Sequence, residues 1–267
     1  MINKVIKLRK EENGYTPTLT TYILDKGFSG GKRPGILVIP GGGYWIASEN
    51  EAENVALRFM AKGFHAFVVR YSAKSDNPKA KYPMALEEVS KSLEIIRENA
   101  EQWGVEEDKI AICGFSAGGH LACSLGVFWN MEPIKTENEK NKPNAMILSY
   151  PVITSGEFAH RGSFENLCEG DETLVEKMSL EKQVNEDTPK TFIWHTFNDQ
   201  VVPVENSLLF ANALREKNIP FELHIYPEGR HGLSVMTPDA GVSEDEKVSK
   251  NARGWIDLAC GWLKEVL

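Results

Sequence analysis

Ile110-Ala111-Ile112-Cys113-Gly114-Phe115-Ser116-Ala117-Gly118-Gly119-His120-Leu121-Ala122 is the stretch from which the rest of the chain is read. An apolar strand-like run leads into Gly114-Phe115-Ser116-Ala117-Gly118, and a helix-like run follows. The pattern is G-x-S-x-G, which sets a serine on a sharp strand-to-helix turn. At such a turn the helix doubles back against its own strand. Glycines two residues either side of the serine remove the side chains that would collide there. The hydroxyl is lifted above the sheet at a helix N-terminus, whose dipole favours developing negative charge. Ser116 is therefore the candidate nucleophile.

Working outward, apolar runs alternate with amphipathic ones. Strands are expected at 36–39, 65–71, 109–115, 145–150, 191–196 and 221–226, and helices at 51–62, 82–103, 117–128, 204–217 and 246–266. In 82–103 the apolar residues Leu86, Val89, Leu93, Ile96 and Ala100 recur at helical spacing, with Glu87, Lys91, Glu94 and Glu98 between them. Strand and helix in alternation mean an α/β fold, a mostly parallel sheet covered by helices on both faces. The first strands, 5–8 and 18–24, lie close together and alternate in polarity, which predicts an antiparallel start. Residues 1–267 read as one domain. The irregular piece 152–190 reads equally as a small cap over the C-terminal edge of the sheet or as a surface excursion.

Composition narrows the class. The chain has 267 residues, 42% hydrophobic and 25% charged, with a formal net charge of −8. That is ordinary globular composition, and the acidic balance argues against a nucleic-acid partner, since phosphate binding needs basic clusters. Met1-Ile2-Asn3-Lys4-Val5-Ile6-Lys7 lacks an apolar core and cleavage site, and no apolar run approaches bilayer length. The four cysteines, Cys113, Cys123, Cys168 and Cys260, are scattered and form no metal-binding or disulfide spacing. The expectation is a reduced, cytoplasmic protein without metal, cofactor or membrane association. A homo-oligomer is left open.

A second glycine cluster, Pro40-Gly41-Gly42-Gly43-Tyr44, ends an earlier strand. Tripled glycine lets the backbone aim N–H groups inward. The amides of Gly42 and Gly43, with that of Ala117, are expected to form an oxyanion hole. A phosphate loop is disfavoured because neither G-x-G-x-x-G nor G-K-[ST] follows. A serine needs a base and the base an orienting acid, in the order Ser, Asp or Glu, His. Of six histidines, His65, His120 and His160 come too early, His195 precedes the best acid, and His224 lies inside a strand. His231, in Glu228-Gly229-Arg230-His231-Gly232 after the last strand, is the candidate base. Asp199, three residues beyond the preceding strand, is the candidate acid, placed to hold the useful imidazole tautomer. Glu205 is its nearest rival but falls in the next helix. Tyr44, Trp45, Tyr71 and His195 are candidate substrate-binding residues.

These residues, with Trp194-His195-Thr196-Phe197-Asn198-Asp199-Gln200-Val201-Val202-Pro203-Val204, give a resemblance that spans the chain from about Pro34 onward. The chain resembles the α/β-hydrolase family of small acetyl esterases and carboxylesterases, which includes acetyl-xylan-esterase-like proteins and sugar hydrolases. The resemblance implies a metal-independent serine esterase acting on a small-molecule ester, with nucleophile, acid and base at Ser116, Asp199 and His231, and a preference for acetyl groups. Related esterases often carry histidine before the glycine triplet, where this chain has Pro40, so the amide of Tyr44 joins the candidate oxyanion donors. An amidase, formamidase or small peptidase could use the same triad. A non-catalytic binding protein on this scaffold would lack a triad member, and none is missing.

Overall fold

The computed structural model describes residues 1–27 and 30–267. The elements run β1 (Ile2–Lys7), β2 (Thr18–Ile23), β3 (Arg33–Ile39), α1 (Glu53–Ala61), β4 (His65–Arg70), α2 (Met84–Glu98), α3 (Ala100–Trp103), β5 (Val105–Phe115), α4 (Ala117–Phe128) and β6 (Ala145–Ser149). They continue through α5 (Arg161–Cys168), α6 (Glu172–Lys177), β7 (Thr191–Thr196), α7 (Glu205–Glu216), β8 (Phe221–Tyr226) and α8 (Trp255–Val266). The eight strands form one sheet in the order β1-β2-β4-β3-β5-β6-β7-β8. β1 pairs antiparallel with β2 and β2 with β4, and every later pairing is parallel. This is the α/β-hydrolase architecture that the elbow predicts.

The central parallel strands, β3 to β7, are buried on both faces, as a parallel sheet under helices must be, while the edge strand β1 is largely exposed. On one face Val89, Leu93 and Ile96 of α2, Leu121 and Leu125 of α4, and Phe210 and Leu214 of α7 pack against Leu37, Ile112 and Leu148. On the other, Val55 and Phe59 of α1 and Trp255, Ala259 and Leu263 of α8 pack against Val38, Cys113 and Trp194. Every residue of α4 is buried. That explains its continuous apolar character and makes the elbow's footing rigid.

Several boundaries differ from the sequence reading, and four of the differences have a visible cause. The helix expected over 82–103 breaks at Asn99, whose side-chain amide donates to Ile95 O at 2.8 Å. The helix expected from 246 is delayed to Trp255, because Ser249 is engaged with Glu228 through both its amide and its hydroxyl. The helix expected from 51 begins at Glu53 after a 3-10 turn, Glu49–Glu51. β5 starts at Val105 rather than 109, since Val105 pairs with Arg33 across a register shift. Segment 152–190 holds α5, α6 and a 3-10 turn. Asn206 of α7 clamps its start, accepting from the amides of Ile153 and Thr154 and donating to Phe158 O.

Candidate active site

Ser116 joins β5 to α4 with φ 52° and ψ −119°, a backbone region that costs about 1–3 kcal/mol for a residue with a side chain. The surroundings hold it there. Its amide donates to Ser149 O at 3.0 Å, and its carbonyl accepts from the amides of His120 at 3.1 Å and Val152 at 3.0 Å. A Cβ on Gly114 would stand 2.3 Å from Gly118 O, and one on Gly118 would stand 2.2 Å from Pro40 O. Backbone thus approaches backbone more closely than any side chain allows, which is the physical content of both flanking glycines.

His231 lies on the loop after β8. Its Nδ1 donates to Asp199 Oδ2 at 2.6 Å, and its Nε2 lies 2.8 Å from Ser116 Oγ. A carboxylate only accepts, so the hydrogen is on Nδ1 and Nε2 turns its lone pair toward the serine hydroxyl. Asp199 sits in the loop between β7 and α7, and its Oδ1 accepts from the amides of Val201 and Val202 at 2.9 and 3.0 Å. Burial works against its ionisation, but hydrogen bonds from His195, His231 and Val201 outweigh it and hold the carboxyl well below the usual carboxylate range. The structure therefore brings Ser116, His231 and Asp199 into one hydrogen-bonded chain. The rival Glu205 opens α7 instead. His65 is spent on Leu24 N and Gly104 O, and His224 on Glu222.

The glycine loop abuts the elbow: a Cβ on Gly41 would stand 2.6 Å from Phe115 O and 3.0 Å from Ser116 Cβ. Gly42 O accepts from the amides of Trp45 and Ile46, which curls the loop. Among the described residues, the amides of Gly42, Gly43, Tyr44 and Ala117 meet no protein acceptor, so they are available to an incoming oxygen. Three side chains brace the loop from behind. Glu51 accepts from Gly41 N at 2.8 Å, and Asn166 of α5 donates to Gly43 O at 2.9 Å. His120 of α4 accepts from Tyr44 Oη at 2.8 Å through Nδ1 and donates to Met178 O at 2.9 Å through Nε2. Burial lowers the His120 pKa to about 4, so this ring remains neutral at physiological pH.

The candidate substrate-binding residues separate. Trp45 is 56% exposed and is the one whose side chain lies open to solvent. Tyr71 is fully buried, with its hydroxyl donating to Pro40 O at 3.0 Å, and cannot line an open pocket in this conformation. His195 is also fully buried. Its Nε2 donates to Val202 O at 3.0 Å and stands 3.3 Å from Asp199 Oδ2, while Nδ1 lies 2.8 Å from Ser207 Oγ. It backs the acid rather than the substrate. The Tyr44 side chain is taken by His120 and is nearly buried.

Glu51, Tyr150 and His160 stand at the site without having been expected there. His160 Nδ1 lies 2.8 Å from Ser163 Oγ, and its Cε1 would be 3.9 Å from a Cβ on Gly43. Burial, aided by the field of His231, lowers its pKa. Chain order hid it, because a base must follow the acid. Among the described residues no group of three or more His, Cys, Asp or Glu side chains is arranged to hold a metal ion. No helix among them is long and apolar enough to cross a membrane.

A family model, BD-FAE, matches residues 23–214. An endo-1,4-beta-xylanase B of Butyrivibrio fibrisolvens is 42% identical over 233 residues, which is 85% of this chain and 36% of that protein. An acetylxylan esterase of Xylanibacter ruminicola is 32% identical over 210 residues, 76% of this chain and 41% of that protein. The chain thus spans well under half the length of these two curated relatives. The crystal structure of an acetyl ester-xyloside bifunctional hydrolase from Caldicellulosiruptor lactoaceticus superposes with a TM-score of 0.84 at 34% identity, covering 98% of this chain and 96% of that one.

Proposed function

The chain belongs to the BD-FAE family of α/β-hydrolases, and on that premise we propose that it is a serine carboxylesterase that removes short acyl groups, acetyl above all, from acetylated sugars such as xylo-oligosaccharides. The observation that carries the proposal is the chain Ser116 Oγ, His231 Nε2, His231 Nδ1, Asp199 Oδ2, with contacts of 2.8 and 2.6 Å. The acetyl and xylan assignment is supported by the names of two relatives, an acetylxylan esterase and an acetyl ester-xyloside bifunctional hydrolase.

In this reading His231 takes the Ser116 proton as the hydroxyl oxygen attacks the ester carbonyl. Asp199 keeps the imidazole oriented and stabilises the imidazolium that forms. The carbonyl oxygen gains negative charge and is received by the amides of Ala117, Gly42 and Gly43, with that of Tyr44 alongside. Each such donor is typically worth about 10²–10³ in rate. The tetrahedral intermediate collapses, and the alcohol leaves with the proton held by His231. Water, deprotonated by the same imidazole, then releases the acid and restores Ser116.

The test is hydrolysis of p-nitrophenyl acetate, butyrate and octanoate by wild type and Ser116→Ala, followed by acetate release from acetylated xylo-oligosaccharides. Activity falling from acetate to octanoate and lost in Ser116→Ala is expected. Unchanged hydrolysis by Ser116→Ala overturns the mechanism, and a preference for octanoate overturns the acyl assignment.

A further inference from the structure

The mechanism leaves unused a buried acid that borders the site. Glu51 is 4% exposed and lies on the 3-10 turn after the glycine loop. Its Oε2 accepts from Gly41 N at 2.8 Å, and its Oε1 accepts from Tyr150 Oη at 2.6 Å. Tyr150 Oη in turn accepts from Ser234 N at 2.9 Å, three residues beyond His231. The Ser234 hydroxyl donates to Asn50 O at 2.6 Å, closing the circuit beside Glu51. The Tyr150 ring meets the His231 ring edge-on, with centroids 5.0 Å apart at 69°. One carboxylate is therefore joined to the loop that bounds Ser116 and, through one tyrosine, to the loop that carries the base.

The hydrogen-bond directions indicate the charge state. Gly41 N can only donate. Tyr150 Oη already accepts from Ser234, and its own hydrogen is directed at Glu51. A protonated Glu51 would have to donate to that oxygen and strand the phenol hydrogen, an expensive arrangement in a buried site. Burial pushes the Glu51 carboxyl up, while the Tyr150 hydroxyl, the Gly41 amide and the nearby His231 oppose that shift.

We infer that Glu51 is a positioning residue: through Gly41 and Tyr150 it locks the oxyanion loop and the His231 loop into one unit, and its charge adds to that of Asp199 in stabilising the imidazolium of the transition state. The inference rests on the serine-hydrolase reading above. His231 is also faced by Asp199, with His195 behind it, and by His160 from segment 152–190. Arg230 lies beside it in its own loop, where its guanidinium pairs with Glu246 at 2.6 Å and donates to the carbonyls of His231, Gly232 and Gly241. Glu51→Gln changes the charge of none of these.

The experiment measures p-nitrophenyl acetate turnover and the rate of Ser116 phosphonylation by a fluorophosphonate, both from pH 5 to 9, in wild type, Glu51→Gln and Tyr150→Phe, with melting temperatures alongside. Phosphonylation reports on the triad and oxyanion hole whatever ester the protein prefers. For Glu51→Gln, kcat and the phosphonylation rate are expected to fall about 10-fold or more, with KM changed less than about twofold. With the negative charge gone the imidazolium is less favoured, so the acid limb of both profiles moves to lower pH by on the order of one unit. Tyr150→Phe keeps the ring against His231 but cuts the link, and should lose rate with a smaller limb shift. Rates close to wild type in a folded Glu51→Gln overturn the inference. So does a rate loss with an unmoved acid limb, which is what a purely structural brace would give. If Glu51→Gln does not fold, wild-type rates in Tyr150→Phe overturn it. Wild type that phosphonylates rapidly but leaves every ester intact overturns the esterase reading instead, and the phosphonylation profiles still decide the role of Glu51.

Discussion

Gly118→Ala tests how the elbow and the oxyanion loop depend on one another. A Cβ at this position would stand 2.2 Å from Pro40 O and 2.3 Å from Ile39 O, where real Cβ contacts essentially never fall below 3.0 Å. Both oxygens are backbone, so relief requires α4 or the end of β3 to move by about 0.8 Å, the difference between 3.0 and 2.2 Å. Pro40 leads directly into Gly41, which abuts Ser116, so the displacement falls on the amides proposed to hold the oxyanion. A misplacement near 1 Å costs about 10²-fold in rate. The stability cost of overpacking, about 1–3 kcal/mol, is partly offset by the helix propensity gained, about 0.8–1 kcal/mol. At about 2–4 °C per kcal/mol, the melting temperature should drop by less than about 9 °C. Gly126→Ala is the control. It lies on the same helix, and its Cβ would meet Met146 Sδ at 2.2 Å, but that atom belongs to a flexible side chain remote from the oxyanion loop. It should lower the melting temperature comparably and leave kcat/KM within about threefold of wild type, since no atom of the oxyanion loop has to move. The assay pairs p-nitrophenyl acetate kinetics with scanning fluorimetry. Gly118→Ala retaining near wild-type kcat/KM, or Gly126→Ala losing as much, would show that the oxyanion amides do not depend on the contact between Gly118 and Pro40.

Asp199→Asn presents an amide where His231 needs an acceptor, favours the wrong tautomer, and should lower kcat by about 10⁴ with little change in fold; a loss below tenfold in esterase assays would remove Asp199 from the triad. Asn206→Ala strips the acceptor from the amides of Ile153 and Thr154 and the donor from Phe158 O. It should cost about 3 kcal/mol in urea titrations, since buried amides are left unpaired; a change under about 0.5 kcal/mol contradicts the clamp. His120 has a folded pKa near 4 against an ordinary 6.5, so below 6.5 the unfolded chain binds the extra proton. Stability should therefore fall by on the order of 3 kcal/mol as pH drops from about 6.5 to 4. Urea titrations of His120→Gln should lack that component, and parallel pH slopes for the two proteins would count against it.

The positions of the candidate nucleophile, base and acid were legible because each depends on local chain geometry. A G-x-S-x-G turn between strand and helix, and loops at the ends of two later strands, are encoded by neighbouring residues. The same holds for the strand–helix alternation, whose apolar periodicity follows from which faces are buried. The parallel order and the antiparallel start at β1 and β2 follow from that alternation and from the short connections at the N-terminus.

What the sequence did not carry was which polar side chains end up behind the site. Tyr71 and His195 look like pocket residues from their places near strand ends, yet both are completely buried, Tyr71 against Pro40 O and His195 against Ser207 of α7. Glu51 reads as the start of a helix. It becomes a buried carboxylate because Tyr150, 99 residues away, and Gly41 both donate to it. His160 comes before the acid in the chain, and segment 152–190 delivers it to the glycine loop in space. The fold class and the candidate triad are encoded locally, since turn chemistry and hydrophobic period are short-range. Which acids and histidines brace the site and which face solvent is set by packing, because burial and hydrogen-bond partnership arise from segments that meet only when the chain is folded.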